Sequence, residues 1–199
     1  MTDQIILASG SEIRKTLLRN ANIPFESVLP RVDEEMIKMS LQAEEANPRD
    51  IADALAEAKA RKVSQKNPGK LVIGCDQVLD FDGQVLSKPE SPDDARAQLR
   101  AMRGKTHRLL SAAVIYKDAE PLWRHVGVVR LTMRDFSDAY LDDYVDRNWD
   151  SIRWSVGAYK IEEEGIRLMA RTEGDYFTIL GLPMVELVNY LIVRGVLDA

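Results

Sequence analysis

Apolar and polar residues change period several times along the chain, and each change marks an element. Ile5-Ile6-Leu7-Ala8 is a short continuous apolar run, the pattern of a buried strand. It breaks at Ser9-Gly10-Ser11 and gives way to Ile13, Leu17 and Leu18 at helical spacing, with Ser11 placed as N-cap. Ala21-Asn22-Ile23-Pro24 turns the chain into a second strand over 25–29, followed by an acidic loop over 30–35. Residues 48–66 predict the clearest helix, with Pro48 in its first turn and Ile51, Leu55, Ala58 and Val63 on its apolar face. Lys59 and Arg61 decorate that helix as surface charge. A strand over 71–79, an Asp82-Gly83 hairpin turn and a returning strand over 84–86 come next. A helix over 93–103, ended by Gly104, leads into two long strands, 106–116 and 122–133. Phe136-Ser137-Asp138 caps a further helix. Residues 154–160 read as a loop or short strand, 166–170 as a strand and 184–193 as the final helix. No repeat or linker interrupts the pattern, which predicts one compact α/β unit over residues 1–199.

Composition narrows the function classes. With 199 residues, 45% of them hydrophobic, the chain can bury a substantial core. A formal net charge of -5 argues against a sequence-independent nucleic-acid binder, while leaving room for a small anionic substrate held by local basic residues. The single cysteine, Cys75, excludes an internal disulfide and a cysteine-based zinc cluster. No stretch has the apolar length of a membrane span, and residues 5–8 are too short for a signal peptide, so a cytoplasmic protein is expected.

Three stretches carry candidate chemistry. The turn from the first strand into the first helix aims free N–H donors and a helix dipole at one point, which suits a phosphate, and Arg14 adds a planar fork of donors one turn on. Asp33-Glu34-Glu35 is either a solvated acidic loop or a carboxylate delivered to a metal or a water. Asp76 interrupts an apolar strand, where an unpaired acid is costly, and therefore implies a cation, a metal or a water to activate. Two hairpin arms side by side would bring Lys88 towards Asp76. His107 and His125 have no companions at metal-ligand spacing and read as structural, as does Cys75 without a paired histidine; Trp149 and Trp154 read as packing residues.

Taken in order, these motifs resemble the Maf family of nucleotide pyrophosphatases. The likeness rests on Leu7-Ala8-Ser9-Gly10-Ser11 with Arg14, Val32-Asp33-Glu34, Asp76-Gln77 with Ser87-Lys88-Pro89, and Gly174-Asp175-Tyr176 with Gly181-Leu182-Pro183. Softer matches at residues 57–60, 104–107 and 157–159 extend it over almost the whole chain. The resemblance implies an elongated mixed β-sheet flanked by helices, with two lobes around a central cleft. It implies hydrolysis of the α–β phosphoanhydride of a nucleoside triphosphate, a divalent cation (magnesium or manganese), and a homodimer. By the same resemblance Ser9, Ser11, Arg14, Lys59 and Lys88 hold phosphates, Glu34 and Asp76 ligate the metal, and Asp76 is the general base. Ile13 stands where the family commonly has a first arginine. Gln77 and Glu162 look more like the branch acting on 7-methyl-GTP than the one acting on dTTP and UTP, whose members usually carry threonine and glutamine there. A nucleotide-binding regulator of septum formation, and a related pyrophosphatase acting on deaminated purines, are the rival readings.

Overall fold

The computed structural model describes residues 3–198. Seven strands form one mixed sheet, flanked by seven helices among the described residues. The strand order is β2 (Glu26–Ser27), β1 (Ile5–Ala8), β3 (Leu71–Phe81), β5 (Thr106–Lys117), β6 (Glu120–Met133), β7 (Met169–Glu173), with β4 (Gln84–Leu86) paired to the end of β3. The chain divides into two compact units. One runs to Gln77 and includes Leu110–Gly127 and everything from Asp175; the other is Val78–Leu109 with Val128–Gly174. The long strands β3, β5 and β6 each supply residues to both.

In the first unit β1 pairs in parallel with both β2 and β3, and all four β1 residues are buried. A strand covered on both faces has no polar positions to alternate with, which explains the continuous apolar run. The helix α1 (Glu12–Asn20) connects β1 to β2. The helix α3 (Pro48–Ser64) starts at an Asn47 cap, whose side chain accepts from the Asp50 N–H, and packs on β1. Its buried face is Ile51, Ala52, Leu55, Ala56, Lys59, Ala60, Val63 and Ser64. Lys59 is therefore not the surface charge that its identity suggested: it is only 6% exposed. Gly74 makes this possible, because a Cβ there would stand 2.2 Å from the Ala56 carbonyl oxygen and 2.6 Å from the Ala60 nitrogen. The strand and helix backbones touch at this point.

Two helices were not expected, one over residues 34–43 and a four-residue one over 176–179. Residues 34–43 form α2 (Glu34–Ala43), with Asp33 as its cap accepting from the Met36 N–H at 3.0 Å. None of its residues is fully buried; Ile37 and Leu41, one turn apart, are half-buried, and the helix lies against α3. The start of α2 was signalled by the Asp33 cap with acids in the first turn. The second strand is shorter than expected, two residues rather than five, because it is an edge strand held only by β1. Two short helices, α6 (Tyr176–Ile179) and α7 (Met184–Val193), complete this unit.

In the second unit Asp82 and Gly83 both have positive φ, +52° and +82°, and join β3 to β4 in the two-residue turn the Asp-Gly pair predicts. The buried carboxylate of Asp80 anchors the turn, accepting from the Gly83 N–H at 2.9 Å and from the Arg108 guanidinium. The helices α4 (Pro92–Met102) and α5 (Asp138–Ile152) pack together, tied by Arg96 to Asp142 and Asp146. Residues 156–158 form a 3-10 turn in place of a loop or strand, and a second one at Glu164–Leu168 delays β7 by three residues from its expected start. Trp154 is 66% exposed, with the Arg153 guanidinium over its ring, so it is not the packing residue expected. His107 is structural, as expected: fully buried, it shares a 2.7 Å hydrogen bond with the Tyr159 hydroxyl, while Nδ1 has no partner.

Burial pulls the His107 pKa down to about 4, so the folded protein resists its protonation. A group depressed in the folded state contributes full stability above its unfolded pKa, near 6.5, and loses it as pH falls towards 4. Chemical denaturation should lose about 3 kcal/mol from this one group across that window. His107→Gln should flatten the pH slope by that amount; an unchanged slope would place the acid sensitivity elsewhere.

Candidate active site

All the closely packed candidate groups lie in the first unit, where β1 ends with Ala8 paired to Gly74 and β3 runs on past it into Asp76. Past Ala8 the chain turns through Ser9-Gly10-Ser11 into α1. Ser11 occupies the N-cap position, but its hydroxyl makes no bond to the first turn, contrary to expectation. Its backbone N–H instead donates to the Ser9 hydroxyl at 3.2 Å. The Ser11 hydroxyl and the first-turn N–H groups are thus left for a ligand. Ser27 donates to the Ser9 carbonyl at 3.0 Å and pins the turn to β2.

Arg14, one turn into α1, is anchored at three points. Its Nε donates to the Gly181 carbonyl at 2.8 Å, and Nη1 to the Cys75 carbonyl at 3.2 Å and the Ser9 hydroxyl at 3.3 Å. Every hydrogen-bond acceptor is neutral, and the nearby Asp76 carboxylate acts on the guanidinium only through space, so its fork is not tied up in an ion pair. Cys75 itself is fully buried and serves packing.

Beside this turn sits a buried ion triad. Lys59 Nζ lies 2.6 Å from Asp76 Oδ1 and 2.9 Å from Glu34 Oε2. Asp76 is 7% exposed; Glu34, at the start of α2, is half-exposed. Burial alone would lower the Lys59 pKa, but the two carboxylates outweigh it and hold the ammonium charged. Burial pushes the Asp76 carboxyl above its ordinary range, against the opposing pull of Lys59 and Arg14. A carboxylate so shifted is a better proton acceptor than a solvated one.

The family model described as Maf-like protein matches residues 4–193. The chain belongs to the Maf family. It is 62% identical over 198 residues to a "Nucleoside triphosphate pyrophosphatase" of Ruegeria pomeroyi, covering the whole of both chains. Identity to the protein of the same name from Caulobacter vibrioides is 52% over 193 residues, 97% of this chain and 96% of that one. A "7-methyl-GTP pyrophosphatase" of Mesorhizobium japonicum is 46% identical over 198 residues, again across both whole chains.

The remaining candidates of this Maf chain are spread more widely. Lys88 is exposed in the second unit, two residues past the last β4 pair, Leu79 with Leu86. Glu162 is also exposed and in the second unit, in the turn before the 3-10 helix at Glu164–Leu168. Ile13 is half-buried on α1. Gln77 is engaged inside the protein: its amide nitrogen donates to the Ser111 hydroxyl at 2.9 Å and to the Thr178 and Ile179 carbonyls at 3.2 and 2.9 Å. Ser111 and the Gly181 carbonyl were not singled out from the sequence. A serine inside an apolar strand and a backbone oxygen leave no readable pattern.

For metal chemistry, no group of three His, Cys, Asp or Glu is gathered among the described residues. Glu34 and Asp76, brought together on one ammonium, fit a hard cation that keeps waters and takes phosphate oxygens as its other ligands.

Removing the shared cation leaves Asp76 buried and unpaired. Lys59→Met should cost about 3 kcal/mol at pH 7 by urea denaturation. Without Lys59 the Asp76 pKa rises further, so the mutant should regain stability relative to wild type as pH is lowered and that carboxyl takes a proton. A mutant as stable as wild type at pH 7 would show that the triad is not electrostatically coupled.

Proposed function

We propose that this Maf chain hydrolyses a nucleoside triphosphate between its α and β phosphates, releasing the monophosphate and pyrophosphate. The observation that carries the reading is the buried Lys59 shared by Asp76 and Glu34 beside the turn braced by Arg14. Two charges buried together, with a third reaching them from the surface, are costly to fold and have no packing purpose. The strand–turn–helix, with the Ser9 and Ser11 hydroxyls and Arg14, holds the phosphates. Lys59 offsets phosphate charge and orients Asp76, which accepts the proton of the attacking water. Lys88 adds charge neutralisation for the leaving pyrophosphate. Glu34 and Asp76 hold a divalent cation, magnesium or manganese, which when bound supplies Lewis-acid neutralisation of the phosphate oxygens. No covalent intermediate is required.

The favoured nucleotide in this reading is 7-methyl-GTP, the activity in the printed name of the Mesorhizobium relative. With the Gln77 amide committed to internal acceptors, base recognition falls to Glu162, whose carboxylate suits the N1–H and N2 amine of guanine or the cationic methylated ring. Ile13 supplies apolar surface near the turn. Among the described residues no helix is long and apolar enough to cross a membrane, and a cytoplasmic homodimer completes the reading.

Pyrophosphate release is to be measured from 7-methyl-GTP, GTP, dTTP, UTP, CTP and ITP with each metal. Wild type should prefer 7-methyl-GTP, and Asp76→Asn should lose roughly a hundredfold or more in kcat. Binding of a nucleotide without release of pyrophosphate from any of them would favour the regulator instead. Glu162→Gln should erode the preference for methylated guanine while leaving turnover of the pyrimidine nucleotides unchanged. Identical selectivity in mutant and wild type would remove Glu162 from base recognition, and a dTTP and UTP preference in wild type would reassign the branch.

A further inference from the structure

Four neighbouring residues of the first unit, Thr178 to Gly181, present three backbone carbonyls to donors from distant parts of the chain. Ser111, fully buried on β5, donates its hydroxyl to the Thr178 carbonyl at 2.7 Å. The Gln77 amide donates to the same carbonyl, to that of Ile179 and to the Ser111 hydroxyl, so that serine and glutamine work as one unit. Arg14 Nε donates to the Gly181 carbonyl at 2.8 Å. Space for Thr178 is left by Gly127, where a Cβ would stand 2.7 Å from the Thr178 hydroxyl oxygen.

A helix as short as α6 has no intrinsic stability, and the carbonyls at its end are orphaned unless something reaches them. Asp175 caps its start, accepting from the Thr178 N–H at 2.7 Å, while Ser111 and Gln77 hold its end. The chain then passes through Gly181 at φ +96° and offers the Gly181 carbonyl to Arg14. While Asp76 acts on it only through space, all three hydrogen bonds of Arg14 go to neutral acceptors, and those acceptors fix the direction of its guanidinium. Two of its three anchors are backbone carbonyls, and one of those belongs to the stretch held by Ser111.

We propose that Ser111 is a positioning residue for the phosphate-binding fork of Arg14, acting with Gln77 through the carbonyls of Thr178, Ile179 and Gly181. The inference rests on reading Arg14 as a phosphate anchor. Ser111 touches neither substrate nor reacting atoms; it fixes the turn from which the guanidinium is hung. Gln77, by the same network, serves the reaction as a brace.

The test is a double-mutant cycle on the full-length protein: wild type, Ser111→Ala, Arg14→Lys and the double mutant. Each is read by calorimetric binding of inorganic pyrophosphate and by kcat/KM on the best nucleotide. Ser111→Ala should weaken both by roughly fivefold to tenfold, the loss that about one buried hydrogen bond carries. Arg14→Lys keeps the charge but loses the planar fork that meets the Gly181, Cys75 and Ser9 acceptors. In that background the serine mutation should cost less than about twofold, because its effect passes through the missing fork. An equal loss in both backgrounds, or none in either, overturns the proposal. If Ser111→Ala does not fold, Gln77→Met, of similar length and without donors, takes its place in the same cycle. Pyrophosphate binding without turnover of any nucleotide would overturn the hydrolase reading alone, since the binding cycle still decides the role of Ser111. A wild type that binds no pyrophosphate overturns both.

Discussion

A lysine ammonium under the surface of a helix face is tolerated only where carboxylates meet it, and in this protein two do. Much of the first unit follows from that pairing. Lys59 reaches Asp76 because α3 and β3 approach to backbone contact at Gly74, which in turn requires the small residues Ala56 and Ala60. Glu34 reaches the same ammonium because Asp33 starts α2 at the right place, in a helix that lies against α3. The first residue of α2 is itself a charged group of the candidate site.

The positive groups are arranged by contrast with each other. Lys59 is hydrogen-bonded or ion-paired directly to carboxylates; Arg14 hydrogen-bonds only carbonyls and a hydroxyl, with the Asp76 charge felt through space. The first arrangement shapes a proton acceptor, the second an anion receptor. In the proposed reading the two, side by side, supply the base and the affinity for phosphate, with no cysteine thiol or histidine ring taking part.

In the second unit the same economy recurs with different groups. Asp80, buried in a strand, is matched by Arg108 and by the N–H of Gly83, and so secures the hairpin that precedes Lys88. His107 and Tyr159 share one proton-mediated contact that ties the strand β5 to the 3-10 turn at residues 156–158. Neither pair takes part in the proposed chemistry; each holds a segment that carries a candidate residue, Lys88 in one case and Glu162 in the other.

Elements with strong periodicity were legible from the sequence alone. The buried run of β1, the Asp82-Gly83 hairpin, both long strands and the last helix follow from local pattern and turn chemistry, which act over a few residues. The family and the motif residues around Ser9, Arg14, Glu34 and Asp76 were legible too, because Maf motifs recur in order along the chain. What pattern did not reveal was held by contacts distant in sequence. The helix α2 has no fully buried residue, and the residues expected as a loop or short strand after Trp154 formed a 3-10 turn in which Gly157 takes a left-handed φ of +77°. That Lys59 lies inside rather than on the surface was decided by where Asp76 and Glu34 fall in space. That Gln77 braces a turn was decided by carbonyls a hundred residues further on. A side chain's identity says which bonds it can make; only the packed fold settles which partners come within reach, because hydrogen bonds and ion pairs act over a few ångströms whatever the separation along the chain.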